Sequence, residues 1–155
     1  MRYPDLINTF CINHVQRLRD SFHRWTGKSL LPDLKPDDDP VLALFDAPFL
    51  LVSHGTEPTP VFNFGNRKAL ELFEISWEQF IKLPSKNSAG QENREDRAEL
   101  MARVARAGYA LNCTGTRIST SGKRFYIEGA TVWNVIDENN LYHGQAAMFD
   151  TWAYL

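Results

Sequence analysis

The chain has 155 residues, a length that fits one domain and allows a core to form without disulfide or metal staples. Hydrophobic residues make up 43% and charged residues 23%, which excludes a disordered chain. The formal charge of -2 lacks the basic excess that phosphate-backbone binding uses, so nucleic acid is not an expected partner.

Two cysteines, Cys11 and Cys113, share no Cys-x-x-Cys spacing, so neither a zinc site nor a redox pair is expected. Asp5, Arg17, Arg19, Asp20, Arg24 and Lys28 interrupt any signal-peptide core, and no apolar run is long enough to span a membrane. The expected location is the cytoplasm, with reduced thiols and no membrane contact.

Pro4 and Asp5 open a segment in which Ile7, Cys11, His14, Leu18, Phe22 and Trp25 recur at spacings of three and four, one stripe of an amphipathic helix. Gly27 is its stop. Residues 32–40 hold three prolines and the run Asp37, Asp38, Asp39, which reads as a solvated linker; it lacks the spaced ligands of a calcium loop. This predicts a helical arm and linker over 1–40 and a main domain over 41–155.

The main domain starts with a buried strand at 49–52 and a second short strand at 61–64. Asn66 is placed to cap a helix burying Ala69, Leu70 and Phe73, and Ser76 with Gln79 forms a capping box for the next. Pro84 ends that helix, and a polar, mobile loop is predicted over 85–91. A helix over 92–107 follows, with Leu100, Met101, Val104 and Ala105 as its narrow apolar face and Gly108 as its stop. Arg94, Arg97, Arg103 and Arg106 interleave with Glu92, Glu95, Asp96 and Glu99, the pattern of an ordinary charged helix face.

Beyond Gly108 the chain reads as sheet: strands at 109–120 and 124–137 joined at Ser121-Gly122, then a closing strand over 142–152. Alternation puts Phe125, Ile127, Gly129, Thr131, Trp133 and Val135 on the inner face and Glu128 and Asn134 on the outer. The order predicts an α+β fold: a five-stranded antiparallel sheet with helices on one face, preceded by an N-terminal helical arm.

That element order resembles the PAS fold. Phe62-Asn63-Phe64-Gly65-Asn66 leads a strand into an Asn that starts a helix, as in PAS domains, and Thr120-Ser121-Gly122-Lys123 and Asp150-Thr151 resemble the PAS hairpin turn and closing-strand motif. Asn63 through Glu78, Arg117-Ile118-Ser119, Gly122-Lys123-Arg124-Phe125, Ala130-Thr131-Val132-Trp133-Asn134 and Gly144-Gln145-Ala146-Ala147-Met148-Phe149 are similar to the MEKHLA family. This PAS-related domain is named from plant homeodomain leucine-zipper regulators and also occurs as short bacterial proteins; the likeness runs over about residues 5–152. It implies a sensory or protein-interaction role for a stand-alone module, not an enzyme. It names no cofactor: the flavin-reactive Gly-x-Asn-Cys-Arg-Phe-Leu-Gln type motif is missing from 85–108, and 92–107 carries no histidine for haem.

The candidate ligand-binding residues are Phe62, Phe64, Phe73, Trp77, Phe80, Met101, Val104, Phe125, Ile127, Gly129 and Trp133, which could line a small apolar pocket or fill a solid core. Expected partners are a small apolar or aromatic molecule, a protein, or a second copy paired through the N-terminal helix. No catalytic or metal site is expected: His14, His23, His54 and His143 are scattered. The weakest alternative is an enzyme with His54 or His143 as base beside Glu128 or Asp150.

Overall fold

The computed structural model describes residues 6, 8–90 and 93–155. Pro4, Asp5 and Ile7 of the expected N-terminal stripe, and Gln91 and Glu92 ahead of the last helix, lie outside the described residues.

Helix α1 (Thr9–Thr26) begins where the Asn8 side chain accepts from Cys11 N at 2.9 Å and stops at Gly27, which takes φ 75° and closes the last turn onto His23 O. Its stripe Cys11, His14, Val15, Leu18, Ser21 and Phe22 is buried. At the end of the expected linker Asp39 caps a short helix, α2 (Pro40–Phe45), with Pro40 in its first turn. The hairpin β1 (Leu50–His54) and β2 (Phe62–Gly65) leads into α3 (Arg67–Phe73), capped by Asn66 as its position predicts, and α4 (Trp77–Phe80), capped by Ser76.

Residues 85–89 correct the expectation of a mobile loop. They form a 3₁₀ turn (Ser85–Ala89) in which Ser85, Ser88 and Ala89 are buried, because both hydroxyls find backbone carbonyls, Ser85 at Pro60 O and Ser88 at Ser85 O. Helix α5 (Arg94–Ala107) then ends at Gly108, and β3 (Tyr109–Ile118), β4 (Arg124–Ile136) and β5 (Tyr142–Phe149) follow. The closing segment breaks at Asp150, giving β6 (Thr151–Tyr154).

The sheet is antiparallel throughout, with strand order β2-β1-β5-β4-β3; β6 extends past β5 to pair with the first half of β4. Two bulges set the direction of its side chains. Ala110 pairs with Val132, Cys113 with Ala130 and Gly115 with Ile127, so β3 carries one extra residue beside Asn112 and β4 one beside Gly129. Both residues have positive φ, 55° and 67°.

The Gly129 bulge overturns the simple alternation read from the sequence. Up to Ile127 the expected inner face holds, and after the bulge the two faces exchange. Trp133 packs edge-on against Phe22 of α1, with ring centroids 5.0 Å apart, while the Asn134 side chain reaches Val104 O and Ala105 O on α5. Helix α1 thus covers the face of the sheet opposite α5. Gly129 itself is exposed, as is Glu128, and Asn134 is buried instead of outward.

Candidate functional site

The sheet and α5 form the walls of a half-open cavity of about 90 Å³. Its floor is made by Val52 and His54 of β1, Gln145, Ala147 and Phe149 of β5, Ile127, Ala130 and Val132 of β4, and Cys113, Gly115 and Arg117 of β3. Phe62, Phe73 and Ser88 close one side, and Arg97, Leu100 and Met101 of α5 form the roof. The β4 bulge brings this about: with Gly129 set aside, Ala130 and Val132 join Ile127 on the cavity side.

Of the residues anticipated for a pocket, Phe62, Phe73, Met101 and Ile127 line the cavity. Phe64, Trp77, Phe80, Val104 and Phe125 lie in the packed interior beside it, where Phe62 stacks on Phe80 at 4.2 Å and Phe73 meets Phe125 edge-on at 5.4 Å. Gly129 and Trp133 are not part of the lining, for the reason of register given above.

Helix α5 is positioned over the cavity by polar contacts with the strands. Gln145 donates to Met101 O at 2.9 Å and to Asn134 Oδ1 at 3.2 Å, and Asn134 in turn donates to the Val104 and Ala105 carbonyls. The Gln145 Oε1 is buried and has no hydrogen-bond partner among the described residues. On the far face the backbone carbonyl of the same Asn134 accepts from Trp25 Nε1 of α1 at 3.0 Å, so one residue touches both helices.

Two arginines face this apolar space. Arg97 donates to Ser85 Oγ, and Arg117 donates to the adjacent Thr116 O. Burial, then the charge of Arg117, holds Arg97 down to about 10, and burial lowers Arg117 as well. Outside the cavity a wider cleft of about 430 Å³ between α5 and β3 shares Arg97, Leu100, Cys113, Thr114, Gly115 and Arg117 with it, so both cations stand where the cavity meets solvent.

Arg97 does not belong to the ordinary charged helix face expected of it. It precedes Leu100, Met101 and Val104 by three, four and seven residues, a helical spacing that was legible in the sequence. Arg117 shares strand parity with Cys113 and Gly115, a weaker signal because a bulge precedes it.

His14, His54, His143 and the Cys113 thiol have local partners. His14, on the buried face of α1, donates from Nε2 to Ser53 Oγ at 2.8 Å, since the Ser53 hydroxyl proton goes to Asn63 Oδ1 at 2.5 Å. His54 hydrogen-bonds to Gly55 O, and burial lowers its pKa. His143 pairs with Asp137 at 2.9 Å, not with Glu128 or Asp150. Burial pushes the Cys113 thiol above its ordinary value. Among the described residues no group of three His, Cys, Asp or Glu side chains gathers for a metal ion, and no helix is long and apolar enough to cross a membrane.

The MEKHLA domain model matches residues 12–154, from the first turn of α1 to the end of β6. The chain belongs to the MEKHLA domain family. The Arabidopsis thaliana homeobox-leucine zipper proteins ATHB-9 and REVOLUTA are 26% and 25% identical to this MEKHLA domain, over 83% and 91% of it. The domain spans only 14% and 18% of their lengths.

Solved structures place its fold among PAS domains. A PAS domain from Colwellia psychrerythraea superposes with a TM-score of 0.60 at 16% identity, over 74% of this chain and 92% of that one. A light-oxygen-voltage domain studied with a flavin analogue gives 0.59 at 13% identity, over 77% and 86%.

Proposed function

We propose that this MEKHLA domain is a sensory module that binds a small molecule between its sheet and α5 and passes the occupied state to α1. The observation that carries the reading is Asn134. Its side chain holds α5 over the cavity while its carbonyl holds Trp25 of α1 on the opposite face. A ligand that moves α5 or Gln145 perturbs one residue in contact with both helices, which supplies the differential contact that a two-state shift requires. The unpartnered Gln145 Oε1 offers an acceptor for a ligand donor.

Binding without turnover fits the lining. Burial raises the Cys113 thiol against the pull of Arg103, and its hydrogen-bond partners are Leu111 O and Arg103, not the imidazole of His54. Partner binding and homodimerisation through α1 remain part of the proposal. The residues for them are Phe10 and Ile12, 47% and 50% exposed, and native mass of the purified chain gives the subunit number.

The test is a panel of small apolar and aromatic compounds followed by thermal unfolding, on the wild type and on Ala147→Leu, which fills the cavity. Compounds that bind there raise Tm by several degrees in the wild type and not in the variant. A panel that shifts neither protein, or both alike, sinks the reading.

A further inference from the structure

Arg97 and Arg117 approach one apolar cavity from opposite elements, α5 and β3. A guanidinium presents five N–H donors and cannot shed its charge, yet among the described residues each of these makes one hydrogen bond, to Ser85 Oγ and to Thr116 O. Among the described residues no carboxylate lies within ion-pair distance of either. Asp96 and Glu99 line the outer cleft and are exposed to solvent, as is the further cation Arg103. Two like charges are therefore partly desolvated together, an arrangement that repels itself until an anion joins it.

We propose that the ligand of this cavity is a small organic acid whose carboxylate sits between Arg97 and Arg117 and whose apolar body occupies the space under α5. The inference rests on the cavity being the ligand site and names the class of molecule that fits it. The guanidinium fork matches a carboxylate with two parallel hydrogen bonds, and two forks supply more donors than one carboxylate has lone pairs. Size limits the apolar body. A ring of six carbons needs roughly 150 Å³, so the 90 Å³ takes about three or four carbons, and a body of up to about seven must extend toward the outer cleft, where both arginines stand. The lining beneath them, Leu100, Met101, Ile127 and Val132, offers such a body hydrocarbon and thioether contacts.

The experiment titrates the purified chain with butyrate, hexanoate, benzoate and phenylacetate, each paired with its primary amide, which keeps the shape and removes the charge. Calorimetry and thermal unfolding at fixed ionic strength read the outcome. At least one acid is expected to bind about tenfold or more tighter than its amide. At one hundred times its Kd it should raise Tm by about 5–10 °C. In Arg97→Met and Arg117→Met, with the fold checked by circular dichroism, the acid should fall to the affinity of the amide while the amide is unchanged.

Equal affinity of acid and amide overturns the anion assignment and leaves the cavity as a site for neutral ligands. Binding of neither class, or acid binding that survives in Ala147→Leu, overturns the assignment of the acid to this cavity. Should a methionine variant fail to fold, the acid and amide comparison on the wild type decides alone.

Discussion

Buried polar side chains carry much of the specificity of this MEKHLA domain, and Asn66 is the fullest case. Its Oδ1 accepts from Leu51 N and Ala69 N, and its Nδ2 donates to Leu44 O and Phe49 O, so one side chain ties α2, β1 and α3 together. Only the cap to α3 could be read from sequence, because the other contacts are long-range. His14 was visible as a stripe position, whereas its bond to Ser53 was not. Burial first, then Arg17 and His143, hold His14 down to about 3 against an ordinary 6.5. Between those values the unfolded chain takes up a proton that the folded chain refuses, so the stability present above pH 6.5 is lost as pH falls toward 3. From pH 7 to pH 5 this amounts to about 2 kcal/mol, with buried His54 acting in the same direction. Urea unfolding at the two pH values should show the loss, and His14→Gln, which keeps a donor for Ser53, should reduce it. An unchanged pH slope in that variant removes His14 from the account.

At the level of helices and strands, local signals were legible wherever a single residue decides. Asn66, Ser76, Gly27 and Gly108 start or stop their helices where their chemistry puts them. The bulges at Asn112 and Gly129 were not legible, since a bulge is a relation between two strands and alternation along one strand contains no trace of it. That is why Trp133 was assigned to the pocket and Asn134 to solvent. The two glycines of positive φ near the site separate backbone strain from collision. A Cβ at Gly129 meets nothing within 4 Å, so Gly129→Ala should cost about 1 kcal/mol from the left-handed backbone alone. A Cβ at Gly144, φ 117°, collides with the His54 carbonyl oxygen of the neighbouring strand, which cannot move without disturbing the β1–β5 ladder. Gly144→Ala should therefore lose several kcal/mol, on the order of 3 or more. Equal unfolding midpoints for the two variants would contradict the geometry.

Across the whole molecule, the sheet is a septum with α5 and the cavity on one side and α1 on the other. The sequence disclosed the two helices and the strands but not their placement on opposite faces, because α1 is amphipathic whichever surface it covers. The septum predicts communication. Ala147→Leu mimics occupancy, and hydrogen exchange of α1 amides should change in response. In Trp25→Phe, which keeps the stack on Tyr109 and removes the bond to Asn134 O, that response should vanish. Persistence of the response in the double variant would show that the route does not pass through the indole.

The paired bulges have a second effect at the border of the sheet. Strand β3 is an edge, with Leu111 57% exposed beside the left-handed Asn112. A straight border bearing that leucine would be a template for stacking one molecule on another; the kink at Asn112 spoils the ladder there and guards the chain against ribbon-like aggregation.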